Sequence, residues 1–249
     1  MQLVGLTNRG RERARNEDSY FLKADSGMAL LVVADGMGGH LAGNVASGLA
    51  VSSAEQTWAD LDRTVLLAPQ EACQVLSNLI LSTNNLILDE AIKSSDKRGM
   101  GTTLTSGLLC GNHLTIAHIG DSRAYLIYNG DIKQLTKDHS LVEHLIETGQ
   151  VKPEEAQNHP QRHVITRALG IDPDPEIDIF ELDLEAGSTL LFCTDGLTNL
   201  VRDDEILAQL QESSDPQSRA ESLIDLANSR GGHDNITVLI INGIGGQEA

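Results

Sequence analysis

The stretch Ala29-Leu30-Leu31-Val32-Val33-Ala34-Asp35-Gly36 decides how the rest of this chain is read. It is a short apolar run that reads as a buried strand stopping on a carboxylate. The glycine after it lets the backbone turn or approach something closely. The pattern recurs at Thr189-Leu190-Leu191-Phe192-Cys193-Thr194, which runs into Asp195-Gly196. A third run, 114–119, ends in Gly120-Asp121, and Asp234-Asn235 precedes a fourth at 236–241. A single Asp-Gly is ordinary turn chemistry. Several carboxylates at strand ends repel one another if they meet in a partly buried site, and hard divalent cations with oxygen ligands relieve that repulsion. On these residues alone, a set of turns and a carboxylate-built metal centre both stand open. No Cys or His pair has zinc spacing, so a metal reading puts Mg²⁺ or Mn²⁺ ahead of Ca²⁺.

The chain has 249 residues, enough for one large domain with a substantial core. Its hydrophobic content of 40% is ordinary, and aromatics at 3% make that core mostly aliphatic. A net charge of −18 argues against nucleic acid and anionic membrane surfaces as partners. Cys73, Cys110 and Cys193 lie in apolar runs and read as buried thiols of a reducing cytosol. The arginines at 9, 11, 13 and 15 are not followed by the apolar stretch of a secretory signal, and no run is long enough to span a bilayer. A cytoplasmic monomer is the expectation.

Strands are expected at 3–7, 20–23 and 29–34, then at 102–109, 113–119, 123–128 and 132–135. Asn129-Gly130 makes the last two a hairpin. Helices are expected at 44–59 and 68–94. In the second, Ala72, Val75, Leu76, Leu79, Ile80, Thr83 and Ile87 form one apolar face. Residues 139–170 break the strand pattern with helical turns at 141–148 and 154–157. Strands return at 176–182, 188–193 and 236–241, with helices at 203–211 and 216–229 between the last two. Hairpin-linked strands and amphipathic helices imply packed layers. The expected organisation is one domain over 1–242, with a helical flap at about 139–170 and a frayed tail at 243–249.

Ordered motifs then run through nearly the whole chain. They are Arg13-Ala14-Arg15-Asn16-Glu17-Asp18, Val33-Ala34-Asp35-Gly36-Met37-Gly38-Gly39-His40, Gly101-Thr102-Thr103 and Ile119-Gly120-Asp121-Ser122-Arg123. Leu135-Thr136-Lys137-Asp138-His139-Ser140, Thr194-Asp195-Gly196-Leu197 and Gly232-His233-Asp234-Asn235 complete them. In this order they resemble the type 2C metal-dependent protein phosphatases, in their compact bacterial form. The resemblance implies an α+β fold: a four-layer α-β-β-α sandwich of two antiparallel sheets flanked by helices, with a small helical flap insertion. It implies hydrolysis of phosphoserine and phosphothreonine in proteins by a metal-bridging hydroxide.

The resemblance also implies roles. Asp35 would bridge two Mg²⁺ or Mn²⁺ ions, and Asp195 and Asp234 would complete the first. The carbonyl of Gly36 would bind the second, with Glu17 or Asp18 reaching it directly or through water. Asp121 with Asp195 would hold a third, weaker ion, and Asn235 would stand behind the ligands. Arg13 matches the phosphate-binding arginine, whose planar fork suits phosphate oxygens, while Arg9, Arg11 and Arg15 read as solvated. Met37 stands where some eukaryotic members place a proton-donating histidine, which leaves His40 as the candidate acid. The flap, with His159, Arg162, His163 and Arg167, would face phosphorylated protein substrates, Arg162 and His163 above all. A regulatory phosphatase with one main target would carry the same motifs. A silent phosphoprotein-binding module would have lost acids that are all present here.

Overall fold

The computed structural model describes residues 1–38, 42–213 and 215–244, and of residues 154, 157 and 158 the backbone alone. The chain opens with strands β1 (Gln2–Asn8), β2 (Asp18–Asp25) and β3 (Met28–Met37), then helices α1 (Ala42–Asp60) and α2 (Pro69–Ala91). Strands β4 (Gly101–Thr102), β5 (Leu104–Cys110), β6 (His113–Ile119), β7 (Arg123–Tyr128) and β8 (Asp131–Gln134) follow. The flap contributes α3 (Leu141–Glu147) and a 3-10 turn at Pro153–Asn158. Strands β9 (Asp178–Asp183) and β10 (Thr189–Cys193), helices α4 (Asp195–Thr198), α5 (Asp203–Glu212) and α6 (Pro216–Ser229), and strand β11 (Ile236–Asn242) complete it. One sheet has the order β1-β11-β10-β7-β8 and the other β2-β3-β5-β6-β9, with β4 paired to β3. Every pairing is antiparallel.

The sandwich explains why Ala29–Ala34 is apolar without alternation. Successive side chains of a strand point to opposite faces. Leu30, Val32 and Ala34 join one core with Ala46, Ala50 and Ala54 of α1 and Leu76 and Ile80 of α2. Ala29, Leu31 and Val33 join a second core with Leu190, Phe192, Leu239 and Ile241 of the facing sheet. A third core lies outside that sheet, where Leu191, Val238 and Ile240 meet Ile206, Leu210, Leu223 and Ile224 of α5 and α6. The layers are therefore helices, sheet, sheet, helices. Gly107 sets the spacing at one point, since a Cβ there would fall 2.6 Å from the Phe192 ring.

Several boundaries differ from expectation, and the site accounts for most of them. The strand expected to stop at Asp35 continues to Met37 because Gly36 and Met37 pair with Thr102 and Gly101. Gly36 is therefore a close-approach glycine: a Cβ there would lie 2.2 Å from the Gly43 carbonyl oxygen and 2.6 Å from that of Glu17. The single strand expected at 102–109 is broken at Thr103, whose N–H donates to the Asp35 carbonyl at 2.9 Å. The strand expected from 176 starts at Asp178, after Pro173 and Pro175. Asn129 and Gly130 have φ of 52° and 87°, as a tight hairpin turn with left-handed residues requires. Ser140 bridges to Ile165 and Thr102 to Leu169, so the flap leaves and rejoins the sandwich beside the ends of β3 and β5. Most of the tail, 245–249, lies outside the described residues.

Candidate metal centre

Asp18 opens β2 directly opposite Asp35 of β3, so the register of one hairpin sets two carboxylates side by side. Asp18 is buried, and its Oδ2 accepts from Thr194 Oγ1 at 2.8 Å and Thr237 Oγ1 at 2.7 Å. Both threonines belong to the facing sheet's end of the sandwich, so these bonds stitch the two sheets together under the site. Oδ1 of Asp18 has no partner. Burial raises the Asp18 carboxyl to about 7, with Asp195 and Asp234 adding to it and the two hydroxyls opposing it. Asp35 is raised well above the usual carboxylate range by burial and then by the charges of Asp18, Asp195, Asp121 and Asp234. Its amide donates to Thr103 Oγ1 at 3.0 Å, which is itself bonded to Ser122.

Asp195 begins α4. Its Oδ2 accepts from Asn199 Nδ2 at 2.8 Å while Oδ1 is enclosed and without a partner. Burial raises it, with Asp234 the largest charge acting in the same direction. Asp121 is buried behind Gly120, whose φ of +115° puts it hard against Thr103, and burial and Asp195 raise its carboxyl. Asp234 accepts from its neighbour's amide, Asn235 N, at 2.8 Å and from Arg13 Nη2 at 2.6 Å. Glu17 is raised chiefly by burial, with Arg13 opposing.

These groups line a cavity of about 430 Å³: Glu17, Asp35, Gly36, Asp121, Asp195 and Asp234, with Arg13 and Asn235 at its edge and Met37, Thr103, His163, Ile165 and His233 completing the wall. Asp18 lies behind Asp35. No three His, Cys, Asp or Glu side chains among the described residues already stand at mutual metal-ligand spacing. The donor chemistry nonetheless fits a hard divalent cation. It is all oxygen, it carries excess negative charge, and two enclosed carboxylate oxygens, on Asp18 and Asp195, await a partner.

The sequence expectations therefore meet in one place for Arg13, Glu17, Asp18, Asp35, Gly36, Asp121, Asp195, Asp234 and Asn235. His163 also lines the cavity. Arg162 does not, but it borders two adjoining clefts, one of about 290 Å³ shared with His163, His233 and Asp234 and one of about 90 Å³ shared with Asp121, Asp138 and Asp195, and its Nε is enclosed without a partner. Arg167 is taken up by Glu176 and Asp178, at 2.8 and 3.0 Å, so it is not free to meet a substrate. His139 is structural, its Nδ1 accepting from Gly120 N at 3.0 Å. His40 lies outside the described residues. Asn235 bonds beside two of the candidate ligands, its N donating to Asp234 Oδ1 and its Oδ1 accepting from Glu17 N, while its Nδ2 donates to the carbonyls of Arg9 and Arg15 at 2.8 and 2.9 Å. It therefore ties the arginine loop to the site. Thr103 and Thr194 stand within the motifs but draw no role from the sequence, and Thr237 is passed over, because a threonine in an apolar strand reads as strand-forming.

The family model described as protein phosphatase 2C matches residues 7–227. The chain belongs to the protein phosphatase 2C family. It is 42% identical over 237 residues to the serine/threonine phosphatase Stp of Listeria monocytogenes, covering 94% of this chain and 93% of that one. It is 42% identical over 241 residues to PstP of Mycobacterium tuberculosis, covering 96% of this chain and 44% of that one. Among solved structures it superposes on the PstP catalytic domain in complex with two manganese ions with a TM-score of 0.83, at 38% identity and 98% coverage of both. For Stp1 of Staphylococcus aureus the TM-score is 0.89, at 35% identity, over 97% of this chain and 94% of that one. No helix among the described residues is long and apolar enough to cross a membrane.

Proposed function

We propose that this chain hydrolyses phosphoserine and phosphothreonine in proteins as a metal-dependent phosphatase, with residues 1–242 as its catalytic domain. The observation that carries this reading is the gathering of Asp35, Asp121, Asp195 and Asp234 around one cavity, with a guanidinium at its edge and Asp18 behind. An enclosed set of carboxylates this poorly compensated is costly unless cations complete it.

In this reading Asp35, central to the set, serves two Mg²⁺ or Mn²⁺ ions. Asp195 and Asp234 complete one. The Gly36 carbonyl completes the other, with Glu17, which lines the cavity, or Asp18, which reaches in with its free Oδ1. Asp121 and Asp195 form a weaker third position. When bound, the ions supply an activated water and cancel charge on the dianionic phosphate. Arg13 adds a planar fork for phosphate oxygens, and exchanges Asp234 for phosphate as substrate arrives. Thr103, Thr194 and Thr237 hold Asp35 and Asp18 in place. His40 keeps its sequence-based role as proton donor to the departing alkoxide. The enzyme acts as a cytoplasmic monomer on phosphorylated proteins, with neither nucleic acid nor membrane as partner; its acidity and its three free thiols support this.

Hydrolysis of p-nitrophenyl phosphate and of a phosphothreonine peptide, with Mn²⁺, with Mg²⁺ and with excess chelator, tests the reading. Turnover is expected only with metal. Undiminished turnover in chelator, with metal shown absent by elemental analysis, would overturn it.

A further inference from the structure

Four of the 18 Lys and Arg residues of this acid-rich chain alternate through seven positions, Arg9, Arg11, Arg13 and Arg15. Of the exposed arginines elsewhere, Arg202 pairs with Asp204 at 3.1 Å and Arg230 with Glu205 at 2.6 Å, while Arg98 makes no ion pair among the described residues. Arg9, Arg11 and Arg15 are exposed and make no ion pair among the described residues. With 36 acids available, that is an unneutralised basic surface. Glu12, the acid within the run, is turned to His233 Nδ1 at 2.7 Å.

The loop is also fixed in place. The amides of Arg11 and Glu12 donate to the Gly232 carbonyl at 2.8 and 3.3 Å, and Arg11 Nε donates to the Asn228 carbonyl at 3.0 Å. Asn235 binds the carbonyls of Arg9 and Arg15, at 2.8 and 2.9 Å, and so closes both ends. Gly10, at φ +75°, lies so close to the Asp234 carbonyl that a Cβ would fall 2.1 Å from it. The residues that carry Asp234 into the cavity thus also set the height of the arginines beside it.

We propose that residues 9–15 form a recognition surface for anionic groups, carboxylates or a second phosphate, flanking the phosphorylated residue of a protein substrate. This rests on the phosphatase reading. Arg13 faces the cavity while Arg11 and Arg15 stand two residues away on either side, a reach of at most about 7 Å, which matches the step between neighbouring groups of an extended substrate. Guanidinium forks bind carboxylate and phosphate alike. A chain of net charge −18 repels acidic substrates at a distance, and a local basic rim reverses that field at the one place where it matters.

The test uses three peptides with one phosphothreonine and otherwise neutral, glutamate or non-hydrolysable phosphonate flanks, against the full chain with Mn²⁺. Wild type is expected to favour the anionic peptides by about fivefold in kcat/KM at low salt, as a few exposed pairs supply, with the preference fading as salt rises. Arg11→Ala/Arg15→Ala, and Arg15→Glu alone in case the pair unfolds, are expected to lose the preference while keeping p-nitrophenyl phosphate turnover and melting temperature. The two anionic peptides distinguish carboxylate from phosphate as the preferred flank, and either supports the proposal. A preference absent in wild type, or retained in the folded variants, would overturn it alone. Failure to hydrolyse any peptide or p-nitrophenyl phosphate with metal present would overturn the phosphatase reading with it.

Discussion

Asp121 and Asp138 lie close enough for the charge of Asp138 to act on Asp121, yet only Asp138 is bonded to a cation. Arg123 grips Asp138 through Nε at 2.9 Å and Nη2 at 2.7 Å, Gln134 adds a bond at 3.0 Å, and Tyr125 carries the network on from Arg123 to Asp203. The Asp18 carboxylate has two threonine hydroxyls and that of Asp195 the Asn199 amide instead, while the threonines at Asp35 bond its backbone. Of the arginines near them, Arg13 is bonded to Asp234 and Arg123 to Asp138. A carboxylate given its cation by the chain is part of the scaffold. A set denied one is machinery that takes its cations from solution. The two regions should therefore fail in opposite ways when broken.

The largest effect is expected at the unpaired set. Asp35→Ala should lower kcat for p-nitrophenyl phosphate by about 10³-fold or more, because in the proposed reading the residue serves both ions. The metal-free variant should melt no lower than wild type, since a repelling charge has been removed. A turnover assay beside a thermal melt in chelator measures both. Near-normal turnover would remove Asp35 from the centre of the mechanism.

The paired region should answer the other way. Asp138→Ala leaves the Arg123 guanidinium, largely shielded from solvent, without its carboxylate, and losing one partner of such a pair costs about 3 kcal/mol. Urea unfolding should show that loss, while turnover per folded molecule on p-nitrophenyl phosphate stays within a few-fold of wild type. Full stability with lost turnover would move Asp138 into the machinery and erase the contrast.

This contrast was only half legible in the sequence. The carboxylates were, because a strand ending in Asp-Gly breaks an apolar run and leaves a mark. Their supports were not. Thr194 and Thr237 reach Asp18 only because two sheets face each other, and nothing in a linear chain shows which strands will. Arg123 and Asp138 read as motif residues, but their pairing depends on the β7–β8 hairpin bringing them together. Asn235 is placed behind the ligands by the resemblance alone, and nothing in the sequence shows that its Nδ2 bonds run to a loop more than 200 residues earlier. The apolar run at Ala29–Ala34 was read as buried, and the two cores on its two faces show why.

Arg13 lies between the two regimes, being a cation that the chain supplies but leaves half exposed. Arg13→Ala should raise KM for phosphopeptides by about three- to tenfold, more than it lowers kcat, if it holds ground and transition state alike. An unchanged KM would return it to the solvated surface with its neighbours.

The carboxylate set and the buried histidine behind it should respond oppositely to pH. Asp18, raised to about 7 by burial, favours the folded state below its unfolded value and loses that contribution as pH rises through 7. Asp35, Asp121 and Asp195 are raised in the same direction. His118, behind the site and bonded to Thr105 and Lys137, is lowered to about 4 by burial and then by His139. Its contribution is present above its unfolded value and is lost as pH falls towards 4. In chelator, the melting temperature should fall as pH rises from 6 to 8, and saturating Mn²⁺ should flatten that limb. A limb unchanged by metal would mean that the carboxylates do not bind it.

The smallest effects are expected where the flap meets the site, and there two residues that read alike in the sequence share one cleft but not the other walls. Arg162 and His163 together line a cleft of about 290 Å³ with His233 and Asp234, but only His163 reaches the wall of the main cavity, while Arg162 also borders the cleft of Asp138 and Asn199. Arg162→Ala should change kcat/KM for phosphoproteins a few-fold and leave p-nitrophenyl phosphate alone, since so small a substrate does not fill both cavities. His163→Ala should change both substrates, because it alters the wall of the chamber where any phosphate must sit. Equal loss on both substrates for Arg162→Ala would mean that the two cavities form one functional site. No change for either variant would leave the flap as cover for the core, with selectivity residing in the arginine loop across the cavity.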